Sequence, residues 1–242
     1  MTRIAILKTG STYPALSERY GDFEDWFQAA LAGNDSNRLD IHTIHVAEGD
    51  EPGDPGQWDG VIVTGSPAMV SERAPWSEVT AQWLAMAVKA GRPVLGVCYG
   101  HQLLAHALGG KVGYHPDGRE SGTFLVRLNG KAASDPLMSG LPECFPAQLT
   151  HLQSVLELPP GATLLASSDH EPHQAFRYGD HVWGVQFHPE FSAEVMRAYL
   201  EVQTPALQKE GLDPQALINA VTATPDAGSL LPRFAERVMQ RP

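Results

Sequence analysis

At 242 residues, with 43% hydrophobic and 19% charged side chains, the chain is long enough for one globular domain with a sizeable core, and nothing in its length requires two. A formal net charge of −11 argues against a phosphate-backbone partner, and no run approaches the roughly 18 apolar residues of a membrane span, so neither nucleic acid nor a membrane is expected. Two cysteines, Cys98 and Cys144, make no disulfide framework. A free thiol, and an opening stretch too short in apolar residues for a signal peptide, point to a soluble protein of the reducing cytoplasm.

Arg3 to Leu7 reads as a first strand that runs into a loop from Gly10 to Pro14. Tyr20 to Leu31, with Phe23, Trp26, Phe27, Ala30 and Leu31 on one face, predicts a helix ending near Gly33 and Asn34. Leu39 to Val46 alternates as a second strand. His42 and His45 within it point to opposite faces and make poor joint metal ligands. Ala47 to Gln57 is rich in Gly, Pro and acid and marks a loop. Trp58 to Thr64 is a short buried strand ending in Gly65-Ser66-Pro67, a turn at a strand's carboxyl end, where open α/β sheets place ligands. Ala74 to Ala90 predicts a long helix with Pro75 in its first turn and Trp76, Val79, Trp83, Leu84, Ala87 and Val88 on its apolar face. With Pro93 to Val97 as the next strand, the first half alternates strand and helix, the pattern of a doubly wound, mostly parallel α/β sheet.

The second half changes character. Val112 to His115, Gly122 to Leu128, Thr163 to Ala166, Gln174 to Tyr178 and His181 to Phe187 are short and β-rich. They predict an added antiparallel meander at the sheet's edge, with Val182 to Phe187 returning to the core. Ser192 to Gln208 follows as an amphipathic helix, and residues 213 to 238 hold two short helical patterns with Asp213 and Asp226 placed as N-caps.

The most informative stretch runs from Arg92 to Gly110. A buried strand, Pro93 to Val97, meets a helix beginning at Tyr99, and Cys98 sits at the junction with Gly96 and Gly100 two residues to either side. This is the cysteine form of the G-x-S-x-G nucleophile elbow, which is expected to push the sulfur into solvent. A helix N-terminus beneath the sulfur favours the attacking thiolate, and the following N–H can stabilise an oxyanion. The competing reading is a buried structural cysteine. Cys144, between Glu143 and Phe145, reads as a small apolar filler.

Gln186-Phe187-His188-Pro189-Glu190 is the second stretch with chemical content. Residues two apart in an extended segment share a face, so His188 and Glu190 point the same way and Pro189 restricts the chain between them. A histidine at the end of a returning strand can take the proton of Cys98 while the carboxylate fixes its tautomer.

G-x-C-x-G-x-Q after an apolar strand, Gly65-Ser66-Pro67 after an earlier one and F-H-P-E after a late one together resemble the class I glutamine amidotransferases. The resemblance covers about residues 1 to 200, leaving 201 to 242 as a helical extension of the same domain. It implies a flavodoxin-like sheet, a Cys98, His188 and Glu190 triad, Gln102 holding the bound glutamine, and an oxyanion hole from the N–H groups of Tyr99 and the Gly65-Ser66 turn. Thr150-His151-Leu152-Gln153 matches the family's Ser-His-Gly or Asn-His-Gly segment, whose backbone grips the amino-acid end of the substrate. Ser66 and Leu152 both stand where glycine is common in the family.

The activity so implied is cleavage of a γ-glutamyl amide through a thioester. Ammonia, if transferred, would go to a separate synthetase subunit. The alternatives are a free-standing γ-glutamyl peptidase acting on a substrate larger than glutamine, which Leu152 favours, and a catalytically silent regulatory or binding subunit. No cofactor and no metal are expected. The Asp169 to His173 cluster lacks a distant third ligand motif, His101 and His106 lie on different helix faces, and no phosphate loop occurs.

Overall fold

The computed structural model describes residues 1–32 and 38–241, so the helix end expected at Gly33 and Asn34 lies outside the described residues. Five strands form a parallel half-sheet in the order β2-β1-β3-β4-β11: β1 (Thr2–Leu7), β2 (Leu39–Ile44), β3 (Gly60–Val63), β4 (Val94–Val97) and β11 (Val182–Val185). This is the flavodoxin-like order, with a late strand returning beside β4. Strand alternation divides the core in two. Ile4, Ile6, Ile62, Leu95 and Trp183 face Phe27 of helix α2 (Phe23–Ala32) and Leu231 and Phe234 of α8 (Leu230–Met239). Ala5, Leu7, Val61, Val63 and Val94 face Trp83 and Leu84 of α3 (Pro75–Lys89) and Leu103 and Leu104 of α4 (Tyr99–Ala107). Period-two strands covered on both faces explain why these segments read as continuous apolar runs.

Four antiparallel strands extend the sheet beyond β11 in the order β10 (Ala175–Tyr178), β9 (Thr163–Ser167), β6 (Glu120–Leu128) and β7 (Cys144–His151). The antiparallel edge predicted from sequence is therefore present, with two differences. Strand β7 was not anticipated, although Phe145, Ala147, Leu149 and His151 alternate inward; Pro146 obscures it, and β7 tolerates that proline because it is the outermost strand. Strand β5 (Lys111–Tyr114) does not join the edge but pairs with β8 (Gln153–Glu157) in a separate two-stranded ribbon.

Three helical expectations also change. The single helix over Tyr20 to Leu31 is two, α1 (Pro14–Tyr20) and α2, because Gly21 adopts φ 81° and the Asp22 carboxylate accepts the N–H groups of Thr12 and Phe23 at 2.8 Å each. Val79 is 62% exposed, since the buried stripe of α3 runs through Thr80, Trp83, Leu84 and Ala87. After α5 (Ala193–Lys209), which Ser192 caps, the tail forms three helices rather than two: α6 (Pro214–Ala220), α7 (Pro225–Gly228) and α8. Asp213 caps α6, but Asp226 lies inside α7, whose N-cap position is Thr224. Leu230, Leu231, Phe234 and Val238 are buried in the same cluster as β1 and β4.

Candidate active site

Cys98 leaves β4 in a backbone conformation few residues adopt, φ 51° and ψ −105°, strain of order 1–3 kcal/mol that only over-determined surroundings maintain. The surroundings are tight. A Cβ on Gly96 would strike the Gly100 carbonyl, and one on Gly100 would strike the carbonyl of Val63. Both glycines are thus required by close backbone approach. The Cys98 N–H donates to the Val185 carbonyl at 2.9 Å, and the Gly100 N–H to that of Thr64 at 3.1 Å. The elbow does not push the sulfur into solvent: Cys98 is only 7% exposed and lines a cavity of about 330 Å³. Loops from the carboxyl ends of the parallel strands, together with α5, close over it. Cys144 is the exposed cysteine, at the start of the outermost strand, so the filler reading is wrong.

His188 follows β11 and is fixed from three sides. Its N–H donates to the Gln148 carbonyl at 2.9 Å, its ring stacks on Phe191 with centroids 4.1 Å apart, and Nδ1 lies 2.6 Å from Glu190 Oε1. Nε2 of His188 and Oε2 of Glu190 are buried, and among the described residues no nitrogen or oxygen bonds them. Burial alone would pull the imidazolium down, but the Glu190 carboxylate and the Cys98 sulfur outweigh it and raise His188 to about 10.

Ser66 Oγ donates to the Thr9 carbonyl at 2.7 Å and accepts from the Ala68 N–H at 3.1 Å. The Gly65 carbonyl lies 2.9 Å and 3.0 Å from the hydroxyls of Thr9 and Thr64. Because a trans peptide sets N–H opposite C=O, these contacts also fix the direction of the Ser66 N–H. The other expected hole donor, the N–H of Tyr99, opens α4 immediately after Cys98. Gln102 lines the same cavity, and its amide nitrogen donates to the Gln153 carbonyl at 2.7 Å and to Gln186 Oε1 at 3.0 Å.

Thr150, His151 and Leu152 also line the cavity, and the Thr150 carbonyl is 3.8 Å from Cys98 Sγ. His151 is buried between Glu120 Oε2, 3.0 Å from Nε2, and the Gln153 carbonyl, 3.0 Å from Nδ1. Further contributors not singled out from sequence include Thr12 and Tyr13 after β1, Arg119 before β6, and Tyr199 and Gln203 on α5. Gln203 bonds the hydroxyls of Thr150 and Ser121 at 3.0 and 2.8 Å, and the Tyr199 and Thr12 hydroxyls are 2.6 Å apart. Only the inward spacing of Tyr199 and Gln203, one turn apart on α5, carried a signal.

Other sequence candidates are engaged elsewhere. Asp169 pairs with Arg127, His170 stacks on His115, and His173 donates its N–H to Glu171. His101 is fully buried against Phe176, and burial pushes it down to about 3, while His106 pairs with Glu78. Among the described residues no group of three His, Cys, Asp or Glu side chains is arranged to hold a metal, and no helix is long and apolar enough to cross a membrane.

The sequence pattern of the family described as "Glutamine amidotransferase class-I" matches residues 32–203. The chain belongs to the class I glutamine amidotransferase family. It is therefore a cysteine-dependent amide hydrolase or amidotransferase by family. Its relatives divide into two kinds. GMP synthase [glutamine-hydrolyzing] of Thermomicrobium roseum is 41% identical over 131 residues, 54% of this chain, which spans only 23% of that protein's length. Gamma-glutamyl peptidase 5 of Arabidopsis thaliana is 29% identical over 196 residues, covering 80% of this chain and 78% of that one. The crystal structure of a glutamine amidotransferase from Thermotoga maritima superposes with a TM-score of 0.76 at 22% identity over 99% of both chains, a likeness of fold.

Proposed function

We propose that this class I amidotransferase cleaves a γ-glutamyl amide with Cys98 as nucleophile, His188 as acid and base, and Glu190 as the group that orients His188. The observation that carries the reading is the junction of a strained elbow and an oriented imidazole. Nδ1 of His188 is taken by Glu190 at 2.6 Å, and Cys98 is the other side chain that raises the ring's hold on its proton. An imidazolium raised to about 10 keeps a proton ready for the departing amine. The thiolate adds to the γ-carbonyl, the N–H groups of Tyr99 and Ser66 receive the oxyanion, and His188 protonates the leaving nitrogen as the C–N bond breaks. His188, now neutral, removes a proton from water as it attacks the thioester, which releases glutamate and regenerates the thiolate.

Two readings of the substrate remain, and particular observations favour the free-standing γ-glutamyl hydrolase over a glutaminase subunit that feeds a separate synthetase. The match to gamma-glutamyl peptidase 5 runs over most of both chains, whereas the GMP synthase match covers under a quarter of that protein. Thr9, Thr64 and Ser66 also hold the Gly65-Ser66 peptide in place without a partner. The test is kcat/KM of the isolated protein on glutamine and on a γ-glutamyl peptide. Activity on the peptide at least equal to that on glutamine is expected. Silence toward both, with strong glutaminase activity on adding a synthetase subunit, would restore the subunit reading.

A further inference from the structure

Among the described residues, Arg119 is the one permanently charged side chain lining the Cys98 cavity, and it also lines a second cavity of about 590 Å³. It is 13% exposed. Its Nε donates to Glu210 Oε2 at 2.8 Å and its Nη2 to Glu210 Oε1 at 3.2 Å, so a carboxylate at the end of α5 holds one edge of the guanidinium. Nη1 has no protein partner among the described residues. The neighbouring carboxylates are engaged: Glu120 by His151 and Gln174, and Asp169 by Arg127. Beyond Arg119, the second cavity is lined by Phe124, Leu125, Leu212 and Leu217 together with polar side chains that include Glu120, Arg127, Asp169 and His170. A cation anchored on one edge and open on the other suits a carboxylate, which accepts two hydrogen bonds from such a fork. Arg119 is the residue the two cavities share, so a substrate that extends from Cys98 past its glutamyl group toward the second cavity passes it.

We propose that Arg119 is a specificity-determining residue that binds a carboxylate on the leaving portion of the substrate, with an apolar side chain seated in the second cavity. The substrate class is then γ-glutamyl derivatives of apolar amino acids or peptides, in preference to γ-glutamyl amines. This deepens the hydrolase reading above and rests on it.

The experiment compares γ-glutamyl-leucine, γ-glutamyl isoamylamide, which has the same side chain without the carboxylate, and glutamine. In wild type, kcat/KM should favour γ-glutamyl-leucine over the isoamylamide by about tenfold or more. Arg119→Gln should shrink that preference to within about twofold by lowering kcat/KM on γ-glutamyl-leucine more than on the isoamylamide or on glutamine. Should Arg119→Gln fail to fold, Arg119→Lys, which keeps the charge but not the fork, should lower the preference several-fold. Absence of the preference in wild type overturns the proposal. So does its survival in either variant, or an equal loss on all three substrates, which would place Arg119 on the glutamyl half or in the scaffold. Calorimetric binding of the first two compounds to Cys98→Ala separates this from the hydrolase reading. If wild type cleaves none of the three, the hydrolase reading fails, and tighter binding of γ-glutamyl-leucine, lost on adding Arg119→Gln, still supports the carboxylate site.

Discussion

The two halves of the sheet build the candidate site by different means. In the parallel half, position comes from backbone: β4 and β11 are neighbours in register, Val97 opposite Val185, so the residues just past their carboxyl ends, Cys98 and His188, emerge side by side. Glycine contacts and main-chain hydrogen bonds hold Cys98, while His188 adds the Glu190 carboxylate and the Phe191 ring to its main-chain bond. In the antiparallel half, position comes from side chains that meet across large separations in the chain. Glu120 orients His151, and Gln203 ties Thr150 to Ser121. The difference teaches a division of labour, with the proposed reacting groups just past the parallel strands and the shape of the far wall set by a polar side-chain network. Changes in the first half should act on kcat, and changes in the second on KM and substrate choice.

The strongest test of that division is Cys98→Ala, which should lower turnover by about a thousandfold or more while the protein remains folded. Steady-state hydrolysis and a thermal melt check both halves of the statement. Because Cys144 is exposed and Cys98 is buried in the cavity, a general thiol reagent should label Cys144 first, whereas a glutamine-like diazo-ketone should label Cys98 alone. Mass spectrometry of the labelled peptides reads the outcome, and diazo-ketone on Cys144 would remove Cys98 from the nucleophile's role.

Next in size stand the partners of the sulfur. His188→Ala removes acid and base together and should approach the Cys98→Ala loss. Glu190→Gln preserves a hydrogen-bonding side chain beside Nδ1 and should cost roughly a hundredfold in kcat. The same pair predicts a pH effect on stability. His188 is raised from 6.5 to about 10 in the fold, so its contribution is fully present below about pH 6.5 and fades as pH climbs toward 10. Glu190→Gln removes the main attraction and should flatten that dependence. Melting temperatures across this window decide it, and an unchanged slope in the variant would mean the carboxylate does not hold the proton on His188.

A smaller effect is expected from the antiparallel half. Gln203→Leu cuts the bonds to Thr150 and Ser121 without touching the parallel strands. It should raise KM about tenfold and leave kcat within about threefold. A fall in kcat as large as that of Glu190→Gln would break the comparison between the halves.

How much could be read from sequence follows the same line. Strands β1 to β4 and β11, the elbow and His188-Pro189-Glu190 were legible because each is a contiguous motif whose geometry depends on neighbours a few residues away. The far wall was not. Arg119, Tyr199 and Gln203 reach the cavity only because β6 and α5 pack beside it, and no local pattern marks an inward-facing residue as a ligand contact rather than core. Strand β7 was hidden by Pro146, which is permitted by its place at the sheet's edge. The burial of Cys98 was missed for a similar reason: an elbow dictates how the chain turns, but not which distant loops cover it.

The smallest effect, and the one that bears most on whether the chain works alone, belongs to Ser66. Its hydroxyl joins the Thr9 carbonyl and the Ala68 N–H, so Ser66→Gly removes two hydrogen bonds and adds backbone freedom in a loop that bears a proposed oxyanion donor. A stability loss of about 1 kcal/mol is expected, because a hydrogen bond contributes roughly that net and glycine has more conformational entropy to lose. If the hydroxyl and the two threonines preorganise the hole, kcat for a γ-glutamyl peptide should fall, by less than about fivefold since Thr9 and Thr64 still hold the Gly65 carbonyl. If instead Ser66 locks the turn in an inactive orientation that a partner normally releases, the glycine variant should turn over faster than wild type in isolation. The sign of that change, measured beside the melting temperature, distinguishes an autonomous hydrolase from a subunit awaiting its partner.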